Sequence, residues 1–298
     1  MLTLPEKGVY LSSYHAGGLQ QIADKIKKNL KECRLCPRAC CVNRETTTGA
    51  CQQTNMARLT NAVVHTGEEP PLITGSGAGA VFFSGCSMKC LYCQNFAFSQ
   101  KNNGKYYSVE ALGDLFLSLQ EKGCSNLDLV TPSPHLISIV EALIYAIEKG
   151  LTIPVVYNTS GYECVEILRL MEGIVDVYLA DIRYTDDEVG LKYSGVPDYW
   201  TCTQRAIREM YRQKGSAGLI VRHLVLPNEL SGTQEAMAFI AEELSPSVSI
   251  SLMSQYFPVH LAGEYETINR KITREEYAKA ISIMDKYGLF NGWTQALD

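Results

Sequence analysis

Three cysteines stand close together, Cys86, Cys90 and Cys93, in the stretch Phe82–Asn95 that reads FFSGCSMKCLYCQN. The thiolate is the ligand form of cysteine, and a tight C-x3-C-x2-C loop brings three of them to one point. Iron–sulfur clusters ordinarily take four thiolates, and structural zinc takes four ligands. Three thiolates without a fourth therefore suit a cluster with one open iron. The alternative is a zinc site completed by a histidine, for which His65 and His135 are the candidates. A second group lies upstream in CRLCPRACCVNRETTTGAC and holds Cys33, Cys36, Cys40, Cys41 and Cys51. Its C-x2-C pair forms a knuckle whose sulfurs reach one metal. Cys40 and Cys51 complete a four-thiolate set and leave Cys41 spare. Zinc and an iron–sulfur cluster both fit that set.

The wider composition agrees with metal chemistry. Eleven cysteines are an odd number, and they cluster. In a reducing compartment that pattern reads as metal ligands rather than disulfides. Cys124, Cys164 and Cys202 stand apart and read as small buried hydrophobes. With 298 residues, 46% hydrophobic and 20% charged, the chain is a soluble globular protein with a full core. No apolar run approaches the roughly 18 residues that span a bilayer, and MLTLPEKGVYLSSYHAGG does not read as a signal peptide. The expected location is the cytoplasm, with no membrane partner. A net charge of −5 and the absence of a basic tract argue against nucleic acid.

The elements that position the cysteines can be read from periodicity. Residues 1–18 are expected as an irregular arm and 19–31 as an amphipathic helix, with Leu19, Ile22, Ala23, Ile26 and Leu30 on one face. The division expected is an N-terminal helix and cysteine-rich arm over 1–64 and a barrel domain over 65–298. GEEPP (67–71) and TGSGAG (74–79) read as turns. Gly75, Gly77 and Gly79 precede a strand, whereas a dinucleotide fingerprint follows one. Six strands are predicted at Ala80–Phe83, Leu127–Val130, Val155–Tyr157, Val175–Leu179, Leu219–Leu226 and Val248–Leu252. Helical patterns alternate with them. One uses Leu136, Ile139, Val140, Leu143 and Ile147, with Ser133 as N-cap; Ser231/Gln234 and Thr273/Glu276 read as capping boxes. The expectation is an α/β fold, a partial (β/α)6 barrel of parallel strands with an N-terminal cysteine-rich arm. In such folds the site gathers at the carboxyl ends of the strands. Polar residues do gather there: Thr131 and Ser133, Asn158 to Gly161, Asp181 and Arg183, Arg222 and His223, and Ser254 to Tyr256.

At Cys86-Ser-Met-Lys-Cys90-Leu-Tyr92-Cys93-Gln-Asn95 the sequence resembles the radical S-adenosylmethionine enzymes. It is most similar to the pyruvate formate-lyase activating-enzyme group and its uncharacterised relatives. The likeness covers roughly residues 65–260, and the CRLCPRACCVNR arm with GEEPP is that of the uncharacterised relatives. The resemblance implies a [4Fe–4S] cluster on Cys86, Cys90 and Cys93, whose open iron takes the amino and carboxylate groups of S-adenosylmethionine. One electron then cleaves the sulfonium to a 5′-deoxyadenosyl radical that abstracts hydrogen. It implies an oxidoreductase served by a one-electron donor such as flavodoxin or ferredoxin, with room for a protein substrate. Residue by residue, it places Tyr92 by the adenine and Asn95 beside the motif. It sets Asn158 where the family has an acidic cofactor contact, Asp181 and Arg183 at an Asp-x-Lys, and Arg222 near the cofactor carboxylate. The family's Gly-Gly-Glu after the second strand is replaced by VTPSPH, where the carbonyls of Val130 and Thr131, or the hydroxyls of Thr131 and Ser133, are the substitutes. No residue is assigned to hydrogen transfer. The leading expectation is an activase of a glycyl-radical enzyme. A radical enzyme acting on a small molecule, peptide side chain or RNA stands second, and a non-catalytic iron–sulfur or zinc protein third.

Overall fold

The computed structural model describes residues 2–297. The arm opens with α1 (Tyr10–His15) and α2 (Gly18–Leu30), and β1 (Ala57–His65) follows the first cysteine group. Next come β2 (Ala78–Phe83), the cysteine loop, a short α3 (Phe96–Ser99) and β3 (Lys105–Tyr107). From there helix and strand alternate: α4 (Val109–Glu121), β4 (Leu127–Val130), α5 (Leu136–Glu148), β5 (Val155–Thr159), α6 (Val165–Leu170) and β6 (Val177–Ile182). Then follow α7 (Asp187–Ser194), α8 (Tyr199–Lys214), β7 (Leu219–Leu224), α9 (Thr233–Phe239), β8 (Ser249–Met253), α10 (Arg274–Lys286) and β9 (Gly292–Thr294).

All strands join one open sheet in the order β3-β1-β2-β4-β5-β6-β7-β8-β9. The six expected strands, β2 and β4 to β8, run parallel as neighbours. This is the partial barrel that alternating strand and helix implied. Three strands come in addition. β1 and β3 extend one edge in antiparallel sense, and β9 adds a parallel strand to the other. β6 starts later than expected because Asp176, just before it, accepts the Val9 and Val155 N–H groups at 3.0 and 2.8 Å and so belongs to a turn.

The boundary expected at residue 64/65 falls inside the sheet, since β1 spans it and pairs with β2. The arm is also part of the main core. Tyr10, Leu19, Ile26 and Leu30 are buried in the same apolar cluster as Leu136, Ile139 and Leu143 of α5. Each such side chain contributes about 1.5–3 kcal/mol, so the arm is not an appendage. Nor is the start wholly irregular, because α1 lies within it.

Two capping expectations also change. Ser133 does not cap α5; it starts a 3-10 turn, Ser133–His135, and its hydroxyl is used elsewhere. The N-cap of α9 is Gly232, while Ser231 Oγ accepts the Leu226 N–H at 3.3 Å. The Thr273/Glu276 capping box forms on α10 as expected.

Period-two alternation then places the site. Val156, Leu179 and Ile220 pack with Leu2 and Leu72 as one inner cluster. Two residues further along the same face, each of these strands presents Asn158, Asp181 or Arg222.

Candidate active site

Strand β2 leads into the cysteine loop through Gly85. Its φ is +80°, and a Cβ there would stand 2.6 Å from the Cys51 carbonyl oxygen, so only glycine fits. The loop is then pinned against α7. The N–H groups of Lys89 and Leu91 donate to the Ser194 and Tyr193 carbonyls at 2.8 and 2.9 Å. Each sulfur also has a polar neighbour. The Met88 N–H lies 3.4 Å from Cys86 Sγ, the Ser194 hydroxyl donates to Cys90 Sγ at 3.0 Å, and the Ser99 hydroxyl is 3.3 Å from Cys93 Sγ. Such contacts stabilise thiolate and tune a cluster's potential. Burial, with Cys90 alongside, pushes the Cys86 thiol up to about 12, so iron must displace its proton.

The three cysteines line a cavity of about 660 Å³, and Asn158, Asp181, Arg183 and Arg222 line it as well. Register explains their meeting, because Asp181 pairs with Arg222 across β6 and β7. Arg222 Nε donates to Asp181 Oδ1 at 2.7 Å, and its Nη2 donates to Asn158 Oδ1 at 2.6 Å. Arg183 Nη2 donates to the other Asp181 oxygen at 2.5 Å. Burial works against the charge on Arg222, but Asp181, Glu68 and Glu69 hold its pKa above the ordinary value. Arg183 keeps a buried Nε that finds no acceptor among the described residues. A side cavity of about 170 Å³ shares Asn95, Arg183 and Arg222 and is walled by Tyr92 and Tyr256. Those two rings meet edge to face at 5.6 Å.

The two residues of VTPSPH part company. Thr131 lines the large cavity at φ +60°, and its N–H donates to the Asn158 carbonyl at 2.9 Å. A β-branched residue in that conformation costs on the order of 1–3 kcal/mol. Threonine thus holds a backbone shape that glycine would take without strain. Ser133 is not brought to the cavity. Its hydroxyl donates to Glu163 Oε1 at 2.5 Å, because the 3-10 turn carries it to the opposite side, under the arm. His135, offered as a zinc ligand, is buried with Nε2 2.7 Å from the Ser84 carbonyl oxygen and its ring stacked on Phe83. His65 does line the cavity. His223 bonds Ile182 and Thr233 and is structural.

Sequence reasoning missed an acidic wall. Glu68 and Glu69, read only as part of a turn, line the cavity, and Glu68 Oε1 lies 3.6 Å from Arg222 Nη1. Asp128 on β4 is fully buried; Asn158 Nδ2 donates to its Oδ2 at 3.3 Å, and Oδ1 has no partner among the described residues. Burial first, then Glu68, raises the Asp128 pKa well above the ordinary carboxylate value. The signal available was a lone acid inside the apolar run LDLV. Trp293, on the unexpected β9, donates its indole N–H to Glu69 Oε2 at 2.5 Å.

The upstream cysteines also converge. Cys33, Cys36, Cys40 and Cys51 line one small cavity, while Cys41 is exposed and does not line it. Among the described residues no three Cys, His, Asp or Glu side chains already stand at the spacing of a single ion, in this group or in the loop.

Residues 80–240 match the profile of the Radical SAM superfamily, more than half the chain. The chain belongs to that superfamily. An uncharacterized protein of Methanocaldococcus jannaschii is 34% identical over 287 residues, spanning 93% of this chain and 81% of that one. Two solved structures share the fold. A radical SAM methyltransferase from Sphaerobacter thermophilus superposes at TM-score 0.50, with 12% identity, 82% of this chain and 78% of its own. A Streptococcus suis protein bound to a precursor peptide gives TM-score 0.51 and 11% identity, over 71% of this chain and 46% of that one. Among the described residues, no helix is long and apolar enough to cross a membrane.

The cavity fits the cofactors the radical SAM family implies. Cys86, Cys90 and Cys93 would hold the [4Fe–4S] cluster. The unpaired Arg183 Nε and the Arg222 guanidinium are donors for a carboxylate. The Tyr92–Tyr256 side cavity offers aromatic walls to a flat ring.

Proposed function

We propose that this protein is a radical SAM oxidoreductase that abstracts hydrogen from a macromolecular substrate, in the manner of glycyl-radical activating enzymes. When bound, the cluster would supply one electron to cleave S-adenosylmethionine into methionine and a 5′-deoxyadenosyl group that leaves as 5′-deoxyadenosine after taking a hydrogen atom from the substrate. One observation carries the reading: three sulfurs, each with a polar neighbour, share a single cavity with the Asn158–Asp181–Arg183–Arg222 network. The chain's own part is to grip the cofactor through the two arginines, to hold them in place through Asp181, and to keep water from the reacting carbon. A cavity of about 660 Å³ is of the size that takes a drug-sized cofactor. Electrons come from a donor of the flavodoxin or ferredoxin class. The test mixes reduced enzyme, S-adenosylmethionine and candidate glycyl-radical enzymes anaerobically and records electron paramagnetic resonance. A glycyl signal supports the activase; cofactor cleavage with no signal from any candidate overturns it.

The acidic wall favours a second reading. Glu68 and Glu69 line one side of the site, and carboxylates there suit a substrate bearing a cationic or amine group. Under this reading, amines stimulate 5′-deoxyadenosine formation in the wild type but not in Glu69→Gln.

A further inference from the structure

The small cavity beneath the arm is built like a metal knuckle. Its volume is about 10 Å³, and Cys33, Cys36, Cys40 and Cys51 line it together. Backbone hydrogen bonds fold the cysteine segment back on itself: the Cys33 N–H donates to the Val42 carbonyl at 2.9 Å, the Cys41 N–H to the Cys33 carbonyl at 3.0 Å and the Ala39 N–H to the Cys36 carbonyl at 3.0 Å. Gly49 lets the chain close over the sulfurs, since a Cβ there would stand 3.2 Å from Cys40 Sγ and 3.6 Å from Cys51 Sγ.

The second observation is Arg44. It is 1% exposed, and no carboxylate pairs with it among the described residues. Its Nη1 lies 3.7 Å from Cys33 Sγ, its Nη2 donates to the Thr54 and Pro134 carbonyls, and its Nε has no partner among the described residues. A buried guanidinium without a counter-ion is costly. Four thiolates around a divalent ion carry two net negative charges and would supply that counter-charge.

We propose that Cys33, Cys36, Cys40 and Cys51 bind one divalent ion of the zinc class as a closed, four-thiolate structural site. The choice of a single ion follows from size. A cubane brings eight atoms between its thiolates, and the cavity of about 10 Å³ has room for one. The fold supplies the cavity and the counter-charge; binding releases the thiol protons and draws the sulfurs onto the ion. The site also backs the catalytic loop. Arg38, between Cys36 and Cys40, donates to the Ser87 and Gly195 carbonyls at 2.6 Å each, and Ser87 adjoins Cys86.

Metal analysis of protein purified anaerobically tests this. Wild type is expected to carry about one zinc beside the iron of its cluster. Cys86→Ala/Cys90→Ala/Cys93→Ala should lose the iron and keep the zinc; Cys36→Ser/Cys51→Ser should lose the zinc and keep the iron. If the double variant fails to fold, X-ray absorption at the zinc edge of the wild type decides, and four sulfurs at about 2.3 Å are expected. A second set of about four irons that leaves with Cys36 and Cys51 overturns the proposal, as does wild-type protein without stoichiometric zinc.

Discussion

The two cysteine groups lie back to back, and their surroundings differ in almost every respect. The loop sulfurs face about 660 Å³ of charged cavity; the arm sulfurs close on about 10 Å³ lined by apolar surface and one guanidinium. The loop is open where a cofactor must enter. The arm is shut, with Arg38 reaching from it to the loop and Ser133 and Pro134 filling the space between. Ligand number tracks this difference. Three cysteines suit a site with an open position, and four suit one without.

That contrast is broken most sharply by removing one sulfur from the loop. Cys90→Ala should reduce 5′-deoxyadenosine formation to background while the chain still folds, as judged by circular dichroism. If instead this variant unfolds and Cys36→Ser does not, the roles of the two groups are reversed.

Arg44→Met probes the arm while leaving all four cysteines in place. With metal bound, it leaves two negative charges buried without their partner and should destabilise the protein by about 3–5 kcal/mol in urea unfolding. In chelator-treated protein the same change removes an uncompensated buried charge, so it should be neutral or stabilising. Equal effects in both preparations would show that Arg44 does not answer to a metal.

His135 stands between the two regions, beside Pro134 of the arm cavity and bonded to Ser84 at the entry to the loop. Burial lowers its pKa from 6.5 to about 4, and the nearby Arg44 adds to the effect. The folded state therefore stays neutral where the unfolded chain takes a proton. The stability this contributes is complete above pH 6.5 and is lost as pH falls toward 4. Between pH 7 and 5 the wild type should lose about 2 kcal/mol more than His135→Gln. His223 carries a similar depression but is present in both proteins, so it cancels.

What could be read from the sequence was what repeats or what is spaced. The six parallel strands showed as apolar runs, and the cysteine sets showed as spacings. Asn158, Asp181, Arg183 and Arg222 showed as polar tails on strands, and register then brought them within hydrogen-bonding distance. Features set by tertiary context were hidden. Lys105–Tyr107 and Gly292–Thr294 are three-residue strands whose pairing depends on a neighbour's edge. Glu68 and Glu69 lie in a loop that the sequence marks only as a turn. Ser133 carried a helix-cap signature that Glu163, thirty residues on, outcompeted for the hydroxyl.

The subtlest test concerns how the open site grips its cofactor. Arg222 is held by Asp181 and Asn158 through two separate nitrogens, so its fork is oriented before any ligand arrives. Lysine would keep the charge but could not satisfy both partners and a carboxylate in one plane. Arg222→Lys should therefore weaken S-adenosylmethionine binding about tenfold, or about 1.4 kcal/mol, with arm zinc unchanged. Asp181→Asn should act in the same direction, because it loosens both arginines at once. If Arg222→Lys binds as tightly as wild type, the guanidinium serves the Asp181 network and the acidic wall rather than the cofactor, and Arg183, with its unpaired Nε, is left as the carboxylate's partner.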